Sequence, residues 1–260
     1  MNRCQFRVLT CLLLVFQICF TANAQKPILV DSLQPEPFPY LWNTVEYSKT
    51  KHMQRKVFEE NGKVYADLYI REHTEKFPHK LPDLSVLKIR GDIIWTKVHN
   101  GYILGEDQGE WGGDLYWFSV DGKTNYKISS TQVQQFFSIN NEIFALTGGS
   151  YNGLPMGWIQ KIIFKNGQWV IDPYLRTNTA SHYIKIHKEN IFLISSTGIM
   201  KIDNNKKIQV LLDNPIWKST YVQINSIVIS KDIFYAGMIP GIFKYNMKSG
   251  EQEWFSGELQ

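Results

Sequence analysis

The sequence predicts an all-β fold that is built from a repeated unit of about 40 residues. Short runs rich in Ile, Val, Tyr, Phe and Trp alternate with two-residue turn signals, which is the pattern of strands joined by hairpins. A polar turn followed by an apolar strand recurs at spacings of 38, 41, 48 and 42 residues. The residues taken as equivalent in these strands are Val64, Tyr102, Ile143, Ile191 and Ile233.

Each unit has further parts in a constant order. An apolar run precedes the polar turn, and a glycine-bearing loop, a third strand, a second turn and a fourth strand follow it. The second turns are Asp121-Gly122, Asn166-Gly167, Asn204-Asn205 and Ser249-Gly250, and such pairs favour the left-handed conformations of tight hairpins. A single four-stranded sheet exposes two apolar faces, so neighbouring units must cover them. Radial stacking does this and predicts a β-propeller of about five four-stranded blades.

The first unit, from Val57 to Ile89, is the least regular because Pro78 and Pro82 interrupt its pattern. A six-bladed ring is the alternative if Tyr40 to Lys56 contributes strands. The stretch from Lys51 to Glu60 is the longest in which the sequence allows a helical turn.

The amino terminus has the three parts of a secretory signal. Arg3 and Arg7 precede an apolar run from Val8 to Phe20, and the small residues of Ala22-Asn23-Ala24 follow it. We therefore expect a signal peptide in residues 1–24, cleavage after Ala24, and a secreted or periplasmic mature chain. Residues 25–50 contain four prolines and predict an extended lead-in, which leaves residues 51–260 for the propeller.

Composition narrows the function classes. All three cysteines lie within residues 1–24, so the processed chain holds no disulfide and no thiol nucleophile. Without Arg3 and Arg7 the chain carries 26 basic against 24 acidic residues, with no clustered basic face typical of nucleic-acid binding. After the signal, no apolar run approaches the roughly 20 residues of a membrane span. Nucleophile-elbow, zinc-protease and P-loop motifs are also absent from the sequence.

The last unit carries a resemblance to a known repeat. Residues 232–255 run from Asp232-Ile-Phe-Tyr-Ala-Gly through Gly241-Ile-Phe-Lys-Tyr-Asn to Trp254-Phe255. This stretch resembles the propeller repeat of the periplasmic sensor portions of bacterial two-component regulators, and residues 190–212 are similar in a shorter form. The resemblance implies a propeller fold and carries over neither catalytic residues nor a signalling role.

Two long loops between second and third strands are the candidate binding site: Gly105 to Asp114 and Gly148 to Trp158. Because equivalent loops of a propeller share one rim, we expect the two loops to be neighbours there. Flat aromatic faces beside hydrogen-bonding groups suit a sugar ring or a peptide. The predicted ligand-binding residues are Trp111, Tyr151, Trp158, Glu106, Asp107, Glu110, Asp114 and Asn152.

Alternatives stay open on the same residues. The tryptophans could cap the core between blades while the acids only solubilise the rim. The acidic loop could hold Ca²⁺, although no cofactor is otherwise expected. Glu106 with Glu110 or Asp114 could form the carboxylate pair of a hydrolase or lyase that acts on an extracellular polysaccharide. The leading prediction is a non-enzymatic binding module for a glycan or protein partner, and a structural role in the cell envelope is the third possibility.

Overall fold

The computed structural model describes residues 27–38, 54–68, 77–78, 91–151, 154–177, 179, 181–195, 198–213, 224–239 and 241–256. These residues form five antiparallel sheets, which we number as blades 1 to 5 in chain order. Two 3-10 turns, Val30–Ser32 and Gly109–Trp111, are the helical elements of the described residues. The predicted signal in residues 1–24 lies outside them.

Each blade is an antiparallel sheet with three or four described strands. Blade 1 holds β1 (Ile28–Leu29), β2 (Arg55–Glu60) and β3 (Lys63–Leu68). Blade 2 holds β4 (Asp92–Val98), β5 (Gly101–Asp107), β6 (Leu115–Ser119) and β7 (Asn125–Ser129). Blade 3 holds β8 (Val133–Ile139), β9 (Glu142–Tyr151), β10 (Leu154–Lys165) and β11 (Gln168–Arg176). Blade 4 holds β12 (Ser181–His187), β13 (Asn190–Ser195), β14 (Gly198–Ile202) and β15 (Ile208–Asp213). Blade 5 holds β16 (Ile224–Ser230), β17 (Ile233–Met238), β18 (Gly241–Asn246) and β19 (Gln252–Ser256).

Three of the four predicted second turns contain a residue with positive φ, whereas in the fourth, Asn204-Asn205, the following Lys206 takes that conformation instead. Both residues of Asn140-Asn141 have positive φ, 50° and 64°, and those of Asn166-Gly167 have 53° and 81°. Two-residue turns of this kind match the twist of the strands they join, and Asn and Gly tolerate the required backbone better than other residues. The five residues predicted to be equivalent lie in β3, β5, β9, β13 and β17, each of which has a neighbouring strand on both sides in its sheet.

The blades stack side by side in the order 2, 3, 4, 5 and 1. Apolar clusters fill the interfaces between blades 2 and 3, 3 and 4, and 4 and 5. A further cluster joins blade 5, the last in the chain, to blade 1, the first. One edge strand of each blade contacts that of the next, in the order β4, β8, β12, β16 and β2, which places these strands innermost. The fold is therefore a β-propeller of about five blades, as predicted.

Three innermost strands carry a β-bulge near their start. The register shifts between Val133 and Gln135 in β8, between Ser181 and Tyr183 in β12, and between Ile224 and Ser226 in β16. The residue after the bulge then bonds to the next blade. The Gln135 side chain exchanges two hydrogen bonds with the backbone of Ile184, of 3.1 and 2.9 Å. The Ser226 hydroxyl accepts a 2.8 Å bond from the Val57 amide. Bulges redirect side chains in this way, and here they connect adjacent blades.

Asn100 lies in the turn between β4 and β5, at the end of the strands opposite the bulges, and connects blades 2 and 3 there. Its side-chain oxygen accepts hydrogen bonds from the indole N–H groups of Trp117 in blade 2, at 3.2 Å, and Trp169 in blade 3, at 2.8 Å. Trp169 is buried, so its indole N–H needs an acceptor inside the protein.

Blade 1 differs from its predicted form. The segment predicted as a lead-in supplies β1, which pairs with β3 through Ile28 and Ala66 and takes the third position of the sheet. The folded chain therefore starts before the predicted boundary at residue 51. The sequence does not reveal β1, because a strand of two residues is too short to show a periodic pattern. The helical turn predicted in Lys51 to Glu60 is wrong from Arg55 onward, since buried Arg55 and Val57 alternate with exposed Lys56 in a strand. Residues 39–53, which include most of the possible sixth-blade segment, lie outside the described residues.

Close approach between blades requires glycine at two matching positions. A Cβ atom on Gly105 in β5 would lie 2.6 Å from the Val133 side chain of blade 3. A Cβ atom on Gly237 in β17 would lie 2.3 Å from the Arg55 carbonyl oxygen of blade 1. In both cases the second strand of one blade meets the start of the innermost strand of the next.

Gly237→Ala tests whether blade 5 packs on blade 1 as the structure shows. The added methyl group meets backbone atoms that cannot rotate away, so we expect a loss of about 1 to 3 kcal/mol in the free energy of unfolding. Urea denaturation measures it. Gln252→Ala, at an exposed position on the outermost strand of the same blade, is the control and should change stability by less than about 0.5 kcal/mol. Equal stability of the two variants would contradict this packing of blade 5 on blade 1.

Candidate functional site

The loop between β5 and β6, residues 108–114, closes on itself through backbone hydrogen bonds and is named here the Trp111 loop. The Gln108 amide donates to the Gly112 carbonyl at 2.8 Å, and the Gly112 amide donates to the Gly109 carbonyl at 3.2 Å. Gly109 and Gly112 have φ values of 63° and 88°. Glycine adopts such angles without strain, so these two residues permit the tight turn.

Trp111 projects from this turn into solvent, with 88% of its surface exposed. The alternative that it caps the core between blades is therefore wrong for this residue. Open cavities of about 880 and 350 Å³ lie on either side of it, and Gln108 and Trp111 line both. The larger cavity extends to Gly91 and Asp92 at the start of β4, and the smaller one extends to the segment before β8.

Glu106 lies beneath the loop and is 1% exposed. Its Oε1 atom accepts hydrogen bonds from the Gln108 side chain at 2.7 Å and from the Gly91 amide at 3.1 Å. Buried carboxylates need such donors, and here the donors are the chain before β4 and the first residue of the Trp111 loop. Glu106 therefore holds the loop in place from below.

Asp107 ties the Trp111 loop to blade 3. Its Oδ1 atom accepts from the Gly109 amide at 2.7 Å and from the Gln132 side chain, and its Oδ2 atom accepts from the Gln134 side chain at 2.7 Å. Charge-assisted hydrogen bonds are stronger than those between neutral groups. The position of the loop is thus set by two side chains of the next blade.

Asp114 closes the far end of the loop. Its carboxylate accepts a 2.9 Å hydrogen bond from the Tyr116 hydroxyl and lies 2.6 Å from the Lys127 ammonium. Burial raises the pKa of Tyr116 to about 12, and the hydrogen bond to Asp114 and the nearby negative charges add to the shift. Tyr116 therefore remains a hydrogen-bond donor to Asp114 throughout the physiological pH range.

The second predicted loop is mostly strand. Residues 148–151 belong to β9 and residues 154–158 to β10, which pair from Gly148 with Gly157 to Tyr151 with Leu154. The predicted extent of this loop is wrong, because these residues pair with each other and extend the hairpin instead of opening it. The two segments are nevertheless neighbours, since β9 contacts the 3-10 turn that contains Trp111.

The residues predicted in this second segment are distributed as follows. Trp158 is a half-buried strand residue, with the Arg176 guanidinium 5.9 Å from its ring centroid. Tyr151 is the last residue of β9. The side chains of Tyr151 and Glu110 lie outside the described part of the structure. Asn152 is outside the described residues altogether. The described site therefore unites Trp111 with Glu106, Asp107 and Asp114, and Trp158 belongs to the sheet of blade 3.

Several residues that build the site were not predicted from the sequence, chiefly Gln108, Gln132, Gln134 and Tyr116. A signal for two of them exists, since Gln132 and Gln134 flank the buried Val133 in a period of two at the start of a strand. Within the described ranges, no three His, Cys, Asp or Glu side chains are grouped as a metal site requires. The Ca²⁺ alternative stays a prediction.

Comparisons with known proteins add little to this picture. No protein family and no curated protein matches the chain. Among solved structures, the Neurospora crassa Pan2 WD40 domain is 13% identical with a TM-score of 0.36, over 64% of this chain and 51% of that one. The extracellular domain of the putative one component system BT4673 from B. thetaiotaomicron is 13% identical with a TM-score of 0.33, over 77% of this chain and 36% of that one. The chain thus spans about half and about a third of their lengths. In the part of the chain that the structure describes, no helix is both long and apolar enough to cross a membrane.

Asp107→Ala tests the role of this carboxylate as the anchor of the Trp111 loop. Loss of its three hydrogen bonds should speed amide hydrogen exchange in residues 108–113 by tenfold or more, because local opening then breaks fewer bonds. Exchange measured by mass spectrometry on peptides of this loop checks the result. Asp121→Ala, in the turn at the opposite end of blade 2, is the control and should leave these peptides unchanged. Unchanged exchange in Asp107→Ala would show that the loop is held by its backbone alone.

Proposed function

We propose that this protein is an exported β-propeller that binds a glycan at the Trp111 loop. The exposure of Trp111 carries the proposal. Burying a large apolar side chain in a core contributes about 1.5 to 3 kcal/mol of free energy, and an exposed indole ring lacks this contribution. A fixed and exposed ring is therefore best explained by a ligand that covers it.

The surroundings of Trp111 favour a sugar over a wholly apolar ligand. A sugar ring presents a flat face of C–H groups, which suits an indole face, and a rim of hydroxyl groups that both donate and accept hydrogen bonds. The cavities beside Trp111 offer the amide group of Gln108 on both sides and the Asp92 and Asp107 carboxylates on one side. Such groups can donate hydrogen bonds to sugar hydroxyls or accept hydrogen bonds from them.

Rigidity is the second support for a binding site. The Trp111 loop is tied to β6 by Asp114, to blade 3 by Asp107 and to the chain before β4 by Glu106. A binding surface that is already ordered loses less conformational entropy when the ligand arrives. Export is supported by the features of residues 1–24, because glycans of the cell surface and medium are met outside the cytoplasm.

Trp111→Ala tests the binding proposal. Against a panel of immobilised polysaccharides, the wild-type protein should retain at least one member, and the variant should bind it at least about 30-fold more weakly, as for an aromatic hot spot of about 2 kcal/mol. The melting temperature should change by less than about 1 °C, because an exposed ring adds little to stability. Val120→Ala removes another exposed apolar side chain of blade 2 and is the matched control for binding. A melting temperature lowered by several degrees would instead assign Trp111 to the fold.

Processing of the full chain in a bacterial host tests the export proposal. We expect the periplasmic fraction or the medium to contain a protein whose first residue is Gln25, as determined by intact mass. Leu13→Arg interrupts the apolar run and should leave an unprocessed chain in the cytoplasm, since that run is the part of the signal that is recognised. A wild-type chain that stays full length would contradict cleavage after Ala24.

A further inference from the structure

Two glutamines, Gln108 and Gln132, line the smaller cavity beside Trp111. A carboxylate at the base of the loop holds the side-chain amide of each. The Gln108 Nε2 atom donates a 2.7 Å hydrogen bond to Glu106, and the Gln132 Nε2 atom donates one to Asp107. A carboxylate accepts hydrogen bonds and donates none, so these contacts fix which end of each amide faces it. The two amide oxygens are therefore directed away from the carboxylates.

Both amide oxygens are unpaired acceptors. In the part of the chain that the structure describes, the Oε1 atoms of Gln108 and Gln132 accept no hydrogen bond. Neither oxygen belongs to the buried polar atoms that lack a partner, so solvent reaches both of them. An amide oxygen can accept two hydrogen bonds. The smaller cavity thus offers a ligand two acceptors in fixed positions beside an exposed indole ring.

Gly149 of β9 leaves the space that the Gln132 oxygen occupies. A Cβ atom on Gly149 would lie 2.3 Å from the Gln132 Oε1 atom, which is closer than atoms that are not bonded can approach. The φ angle of Gly149 is not positive, so the neighbouring side chain and not the backbone requires glycine here. A larger residue at this position would displace the Gln132 amide.

A pair of fixed acceptors selects a ligand by the donors that it presents. A sugar hydroxyl donates one hydrogen bond, whereas a hydroxyl that is methylated or acetylated donates none. A substituted oxygen would face the amide oxygen without a hydrogen bond and would exclude the water that otherwise supplies one, which is unfavourable. The amides cannot rotate to donate instead, because rotation would place an oxygen against Glu106 or Asp107.

We propose that Gln108 and Gln132 determine the specificity of the site by accepting hydrogen bonds from two free hydroxyl groups of a sugar ring that lies in the smaller cavity against Trp111. This inference rests on the proposed function and adds the class of glycan, which is one with unsubstituted hydroxyls on this ring. The site discriminates against O-acetylated and O-methylated forms of the same glycan. Gly149 acts through Gln132 and is a positioning residue.

Deoxyfluoro sugars test the inference from the side of the ligand. The probes are cellobiose, laminaribiose, maltose and mannobiose, each unmodified and each with fluorine in place of one hydroxyl group at a time. Fluorine is similar in size to a hydroxyl group and donates no hydrogen bond. For the disaccharide that binds, at least two fluorine substitutions should weaken binding to the wild-type protein at least fivefold, as measured by NMR titration.

Gln108→Met and Gln132→Met test the same contacts from the side of the protein, because methionine keeps most of the side-chain volume and lacks the amide. Each variant should bind the unmodified disaccharide at least fivefold more weakly. Each should bind the fluorinated sugar that lacks the matching donor within twofold of the wild type, since that hydrogen bond is already absent. Gly149→Ala should reproduce the result of Gln132→Met. Gln209→Met, at an exposed position of blade 4, is the control and should bind like the wild type.

Gln134→Met separates recognition of the ligand from support of the loop. Gln134 donates a 2.7 Å hydrogen bond to the other carboxylate oxygen of Asp107, and it does not line the smaller cavity. Its substitution loosens the loop, so any loss of affinity should be equal for the unmodified disaccharide and for every fluorinated one. A loss that depends on one particular hydroxyl, in Gln132→Met and not in Gln134→Met, is the result that identifies direct contact. Melting temperatures confirm that each variant is folded.

The outcomes distinguish this inference from the proposed function. Affinity that no fluorine substitution changes, an equal loss for all sugars in Gln132→Met, or no binding of any of the four disaccharides would overturn the inference. None of these results would overturn glycan binding at Trp111, provided that a polysaccharide is retained by the wild type and lost in Trp111→Ala. Polysaccharide binding that persists in Trp111→Ala would instead overturn the proposed function and this inference with it.

Discussion

The structure depends on one constraint: each blade has two apolar faces, and both must be covered by other parts of the chain. Blades 3 and 4 are covered on both sides by their neighbours in sequence, and blade 5 is covered on one side by blade 4. Blade 5 is covered on its second side by blade 1, so the last sheet of the chain packs on the first. Phe77, from the segment between blades 1 and 2, packs on the other face of blade 2 against Leu104, Tyr116 and Phe118. No cysteine lies beyond residue 24, so no disulfide joins these sheets and this packing carries their stability.

The same constraint positions the candidate site. Because the innermost strands start at the rim, the chain before β8 comes close to the end of β5, where Gly105 allows Val133 to approach. Gln132 and Gln134 flank Val133 and thereby reach Asp107 of the preceding blade. The approach of Val133 to Gly105, which closes the interface between blades 2 and 3, is thus adjacent to the hydrogen bonds to Asp107 that order the Trp111 loop. A substitution that loosens this interface would therefore reduce the order of the Trp111 loop without contacting Trp111 itself.

The sequence predicted the repeated elements well, because their signals are local. Turn pairs such as Asn140-Asn141 and Asn166-Gly167 impose positive φ, and the alternation of apolar residues beside them defines the strands. Signals that depend on distant partners were missed. Ile28–Leu29 is a strand only because β3 offers it an edge, and residues 148–151 and 154–158 form strands because they pair with strands of the same sheet. Trp111 and its acids were found as a group, whereas their roles depend on contacts with Gln132, Lys127 and Gly91 that no spacing reveals.

The roles of the tryptophans show how one residue type serves fold and surface in the same chain. Trp254 is 2% exposed in the interface between blades 4 and 5, and Trp169 is 7% exposed beside Asn100. Both bury most of their surface, as large aromatic residues usually do. Trp111 lies between two glycines with positive φ, which turn its ring away from the sheet, and three carboxylates hold the backbone that carries it. A loop that only joined two strands would need neither an exposed indole ring nor the hydrogen bonds of these carboxylates. Their presence together is the physical reason to expect a ligand at Trp111.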